Sequence, residues 1–101
     1  MGNKTIAETP AEALDPECAK KLAVWDKGFH VPGLDPAQWR WDADLNLIRY
    51  SHYGLYTDHG WEIDHIQASG LGGGDHLGNL RPLHWRGKRS YSGLLRSLLK
   101  R

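Results

Sequence analysis

Gly60–Ser92 reads GWEIDHIQASGLGGGDHLGNLRPLHWRGKRSYS, and the fold turns on how this stretch is parsed. Its opening run, Trp61-Glu62-Ile63-Asp64-His65-Ile66, is aromatic and aliphatic enough to predict a short strand. Five glycines at 70, 72, 73, 74 and 78 place a loop after it. Asn79 then leads into Leu80-Arg81-Pro82-Leu83-His84-Trp85, an apolar-basic segment that predicts a second strand. A basic helix beginning near Trp85 or Arg86 closes the stretch.

Working outward, the whole chain has 101 residues, the size of one domain with a modest core. Five tryptophans and four tyrosines against one phenylalanine suit a thin core beside a polar site, because indole and phenol rings bury area while keeping a polar edge. The net charge of +1 conceals a segregation. Residues 1–75 carry six Lys+Arg and twelve Asp+Glu, a net of −6, whereas residues 76–101 carry seven Lys+Arg and no acid, a net of +7. A cationic end of this kind suits a polyanionic partner, against the plainer reading of a solvated helix face. Cys18 is the single cysteine, which excludes a disulfide framework and a four-cysteine zinc site. No apolar run is long enough to span a membrane and none resembles a signal-peptide core, so a cytoplasmic location is expected, with a secreted-toxin context as the alternative.

Upstream, residues 1–14 read as a loose arm and residues 15–101 as a single domain. Asp15 as N-cap and Pro16 at the first helical position predict a helix over 16–27, with Cys18, Leu22 and Trp25 on one face and Gly28 as the stop. Val31-Pro32-Gly33 signals a turn, and Asp35-Pro36 caps one helical turn through Gln38. Trp39–Asp42 and Leu47–Tyr50 flank a four-residue connection and predict a hairpin. Leu94, Leu95, Leu98 and Leu99 form a stripe along the last helix. The fold class expected is α+β.

Chemically, Asp64 and His65 stand next to each other at a strand end. Side chains of neighbouring strand residues point to opposite faces, so both serve one site only if the strand ends or bends there. Asp64 is a hard oxygen donor suited to Mg²⁺, and His65 supplies an imidazole of the kind that takes a proton from water. Asn79 is placed to hydrogen-bond across the loop and orient the imidazole. Arg81, Arg86, Lys88, Arg89 and Arg96 are candidates for phosphate contacts. Trp61 and Trp85 read first as core anchors, with base stacking as the sharper alternative.

Taken together, Gly60-Trp-Glu-Ile-Asp-His-Ile66, Gly72-Gly-Gly-Asp75 and Asn79-Leu-Arg-Pro-Leu-His-Trp85 followed by a basic helix resemble the HNH nuclease family. The resemblance covers residues 60–92, about a third of the chain. It implies a ββα-metal core, preceded here by the hairpin and the N-terminal helix. It also implies metal-dependent endonuclease activity on nucleic acid, DNA first. The position matching Asp64 binds the metal, the one matching His65 is the general base, and the one matching Asn79 fixes the loop and the histidine. The divalent metal expected is Mg²⁺, with Mn²⁺, Ni²⁺ or Zn²⁺ as alternatives. Structural zinc is absent from the expectation because His84 and Gly87 stand where a second cysteine pair would be.

One signature position departs. Where the family has an Asn or His ligand on the first turn of the helix, this chain has Lys88, whose charged ammonium has no lone pair to give. Three outcomes follow. Lys88 binds the phosphate itself, a histidine such as His84, His76 or His59 supplies the missing ligand, or the domain keeps binding and loses cleavage. No membrane partner is expected; a protein partner, as in a toxin or phage system, is left open.

Overall fold

The computed structural model describes residues 15–68 and 71–90. The arm at 1–14, the leucine stripe and Arg96 lie outside the described residues. Helix α1 (Pro16–Trp25) starts as its sequence dictates, with the Asp15 side chain accepting from Glu17 N at 2.9 Å and Pro16 in the first turn. It ends two residues earlier than predicted, at Trp25. Its buried face also differs: Val24 and Trp25 are buried, while Leu22 is 37% exposed. The ammonium of Lys21 takes the place of an apolar side chain on the inner face, 5.1 Å from the ring centres of both Tyr50 and Tyr53.

Strands β1 (Phe29–His30), β2 (Trp39–Trp41) and β3 (Leu47–Arg49) form an antiparallel sheet in that order. The β2–β3 hairpin forms as expected, but its connection is five residues, 42–46, one more than predicted, because Asp42 leaves the strand and Trp41 pairs with Leu47. Asp42 builds that turn by accepting from Asp44 N at 2.9 Å and Asn46 N at 2.7 Å, and Leu45 takes the left-handed conformation at φ 65°. Strand β1 was not predicted; two residues carry no strand signal of their own, and pairing with β2 creates it. Arg40, buried on β2, fastens this sheet to the end of α1 by donating to the carbonyls of Asp26 and Gly28, both at 3.1 Å.

Strands β4 (Trp61–His65) and β5 (Leu80–His84) form a second antiparallel pair, with Asp64 opposite Arg81 and Ile63 opposite Pro82. Residues 85–90 continue directly from β5 as helix α2. Trp85 N donating to Gly60 O and Ile66 N donating to Asn79 O bracket the ladder. Antiparallel pairs alternate between bonded and unbonded, so Ile63–Pro82 falls on an unbonded pair and the proline sacrifices no ladder bond.

The same alternation turns several polar groups outward, and the chain supplies partners for them. Trp61 O accepts from Gly54 N, His84 N donates to the Asp42 carboxylate at 2.8 Å, Leu80 O accepts from the Lys27 ammonium, and Ile63 O accepts from the Lys88 ammonium at 2.6 Å. Strand edges left open invite pairing with other chains, and these contacts cover them locally. The core lies between α1 and the two sheets: Val24, Trp25, Ile48, Trp61 and Leu80, with Trp25 and Trp61 ring centres 5.0 Å apart. The whole is an α+β fold of two antiparallel sheets with helices.

Candidate functional site

The glycine loop between β4 and β5 is closed by one side chain. Asn79, buried at the end of a 3₁₀ turn, accepts from Gln67 N at 2.8 Å and donates to Gln67 O at 3.0 Å and Gly74 O at 2.7 Å. These bonds commit both of its N–H groups and its oxygen to loop backbone. Orientation of His65 by Asn79 is therefore corrected: among the described residues His65 bonds instead to Asp75, with Nε2 and Oδ1 2.9 Å apart. The loop must pass close to itself for this, since a Cβ on Gly73 would lie 1.7 Å from Gln67 O.

Asp75 is shared. Its other oxygen takes the Lys20 ammonium of α1 at 2.9 Å. Lys20 and His65 together hold the Asp75 carboxyl below the usual carboxylate range, and the Asp75 hydrogen bond raises the Lys20 ammonium in turn. The three groups form an exposed chain, Lys20–Asp75–His65, joining α1 to the end of β4.

Asp64 leaves the strand on the opposite side, as alternation requires. It is 7% exposed, and its Oδ2 accepts from Arg81 Nε at 2.9 Å across the ladder. Both residues reach a common ligand only across the strand end, where Ile66 follows the last residue of β4. Lys88, from the first turn of α2, comes to the same strand one residue away and donates one of its three N–H groups to Ile63 O.

A divalent metal does not fit this arrangement. Asp64 is a suitable hard donor, but the Arg81 guanidinium already occupies its Oδ2 and Lys88 brings a second cation to the adjoining peptide. A dication placed there would face two like charges in a part-buried setting. Among the described residues, no three His, Cys, Asp or Glu side chains group around a common point.

His84 as a metal ligand is likewise corrected. Its ring is buried; Nε2 lies 2.8 Å from Asp58 O, and Nδ1 accepts from Arg86 N at 3.1 Å. Both nitrogens are committed to backbone, which fixes the proton on Nε2. Nor do the alternative histidines approach Asp64: His59 sits against Leu47 O and the Trp39 ring, and His76 is an exposed loop residue preceding the 3₁₀ turn.

The arginines divide. Arg81 belongs to the strand pair, while Arg86 and Arg89 lie over Trp85, 4.8 and 5.5 Å from its ring centre. Trp61 is a core anchor with no exposed surface, whereas Trp85 is only partly buried. Sequence reasoning gave no role to Asp75 or Lys20. Asp75 stands in the Gly-Gly-x-Asp run, but its contact with His65 depends on a glycine loop folding back, which no periodicity records. Comparison with known proteins adds no family here: no family model, curated protein or solved structure matches this chain.

Proposed function

We propose that this chain is a small HNH-type domain with a ββα frame, acting as an endonuclease on the phosphodiester backbone of nucleic acid, DNA in the first instance. The observation that carries the reading is His65, exposed at the end of β4 and held through Nε2 by Asp75 at 2.9 Å. An imidazole fixed in this way can take a proton from water attacking phosphorus. The new bond joins the water oxygen to phosphorus, the bond to the departing sugar oxygen breaks, and that oxygen takes a proton from solvent. Beside the Asp64–Arg81 pair, on the other side of the strand end, Lys88 is the cation in excess and offers positive charge to the phosphoryl oxygens.

A second reading, binding without cutting, is favoured by a specific observation of its own. Asp64, the expected metal ligand, is already neutralised by Arg81, and Lys88, the expected phosphate contact, is strapped to Ile63 O, so both serve the frame.

Plasmid nicking measured for the wild type beside His65→Ala, in Mg²⁺, in Mn²⁺ and in EDTA, separates the two. Cleavage above the variant's level supports the endonuclease. A retarded plasmid without cleavage supports the binding module, and neither retardation nor cleavage sinks both.

A further inference from the structure

The second cluster of cations and rings lies away from Asp64 and His65, where the loop before β4 meets the start of α2. Tyr56 is 61% exposed and Leu55 beside it 47% exposed. The Tyr56 ring centre is 5.2 Å from that of Trp85. Arg89 lies 4.5 Å over Tyr56 and 5.5 Å over Trp85, and Arg86 lies 4.8 Å over Trp85. Two rings and two guanidiniums thus alternate on one face.

This face is built rather than incidental. Trp85 Nε1 donates to Thr57 O at 2.7 Å and His84 Nε2 to Asp58 O at 2.8 Å, so two ring N–H groups hold consecutive carbonyls of the loop. His52 Nδ1 pairs with Thr57 Oγ1 at 2.8 Å. The return to β4 passes so close that a Cβ on Gly60 would lie 1.8 Å from Leu55 O. Tyr56 is therefore presented by a loop pinned at both ends, which lowers the entropic cost of ordering a ligand against it.

We propose that Tyr56, Trp85, Arg86 and Arg89 form a stacking site for an unpaired nucleotide, distinct from the groups around Asp64 and His65. Stacking on an exposed aromatic ring, with guanidinium planes beside it, is how bases are held without sequence readout. Charge complementarity selects a nucleotide over a neutral aromatic ligand: the stretch 76–90 carries Arg81, Arg86, Lys88 and Arg89 and no acid. Asp58, paired with Arg86 at 3.7 Å, is the acidic side chain at the rim and sets Arg86 in place. A paired base has both faces covered by its neighbours in the duplex, so the site favours single strands, loops and frayed ends. The inference rests on the reading that the domain engages nucleic acid and adds which form of it is engaged.

Fluorescence anisotropy with a labelled oligothymidylate, an abasic oligomer of the same length and a duplex of the same length provides the test. Wild type is compared with Tyr56→Ala, Tyr56→Phe and Arg89→Gln, each checked for an unchanged melting profile. Tyr56→Ala should weaken oligothymidylate binding roughly tenfold, leave the abasic oligomer and the duplex within about twofold, and be rescued by Tyr56→Phe. Arg89→Gln should weaken all three ligands. Equal losses on oligothymidylate and abasic oligomer, or no loss on either, would overturn the stacking site while leaving nucleic-acid engagement standing. Failure of the wild type to bind any of the three would overturn both.

Discussion

The Lys88 ammonium donates to the Ile63 carbonyl at 2.6 Å, on the outward edge of β4, one residue before Asp64. Lys88 is thus a strap between α2 and β4, the neighbour of the strand that leads into the helix. Lys88→Met should lower stability by about 1–2 kcal/mol, the contribution of one charge-assisted hydrogen bond in a part-buried place. Urea unfolding monitored by tryptophan fluorescence measures it.

The same relationship makes a prediction about metal. With Arg81 on Asp64 and Lys88 beside it, wild type should give no heat with Mn²⁺ in titration calorimetry. Lys88→Asn combined with Arg81→Gln removes both cations and frees the carboxylate, and this pair should acquire measurable Mn²⁺ binding. Wild-type binding as tight as that of the double variant would contradict the charge argument.

Asn79 closes the glycine loop with three backbone bonds. Replacing it with alanine leaves Gln67 N, Gln67 O and Gly74 O without their partner, and should cost about 2–4 kcal/mol. Because Asp75 reaches His65 only through that loop, the His65 imidazole signals in an NMR spectrum should also move. A stable variant with unmoved His65 signals would show that the loop keeps its shape without the clamp.

Asp75 ties stability to acid pH. Its folded carboxyl is held lower than an unfolded aspartate's, first by Lys20 and then by His65. A depressed carboxylate contributes stability that is fully present above the unfolded value, about 3.9, and lost as pH falls through the folded one. Lys20 runs the other way: its raised pKa gives stability that is lost only as alkaline pH passes through the folded value. Melting profiles of Asp75→Asn and wild type should therefore converge as pH drops below about 4. A difference that persists unchanged at the lowest pH would assign it to packing.

Much of this was legible in the chain, and the failures have physical causes. Asp15-Pro16 specifies a helix start locally, and the Asp42 turn needs only its own side chain and a residue that tolerates positive φ. The β4 and β5 segments carry enough Trp, Ile and Leu to declare themselves. Strand β1 did not, because Phe29 and His30 are strand only by pairing with Trp41 and Arg40. The face of α1 was misread because Cys18-Leu22-Trp25 and Lys21-Val24-Trp25 fit the helical period almost equally well, and the tyrosines that settle the choice come from elsewhere in the chain. At the candidate site, residue identities were readable but partners were not. Arg81 faces Asp64 by strand register, and Asp75 faces His65 by loop closure. His84 reads from sequence as a core or hydrogen-bonding residue with a ligand role as the alternative, and the loop before β4 supplies the partner, Asp58 O, that decides for the first.

Asp42 has no exposed surface, and one carboxylate group serves both its own turn and the His84 amide of β5. The smallest piece of this chain able to stand alone is for that reason larger than the stretch 60–92. A fragment beginning after residue 53 would strip His84 N of its acceptor and Trp61 of Trp25 and Tyr50, its neighbours in the core. The N-terminal hairpin and helix complete the core against β4 and β5, and excising residues 60–92 for transfer into another protein should yield an unfolded peptide.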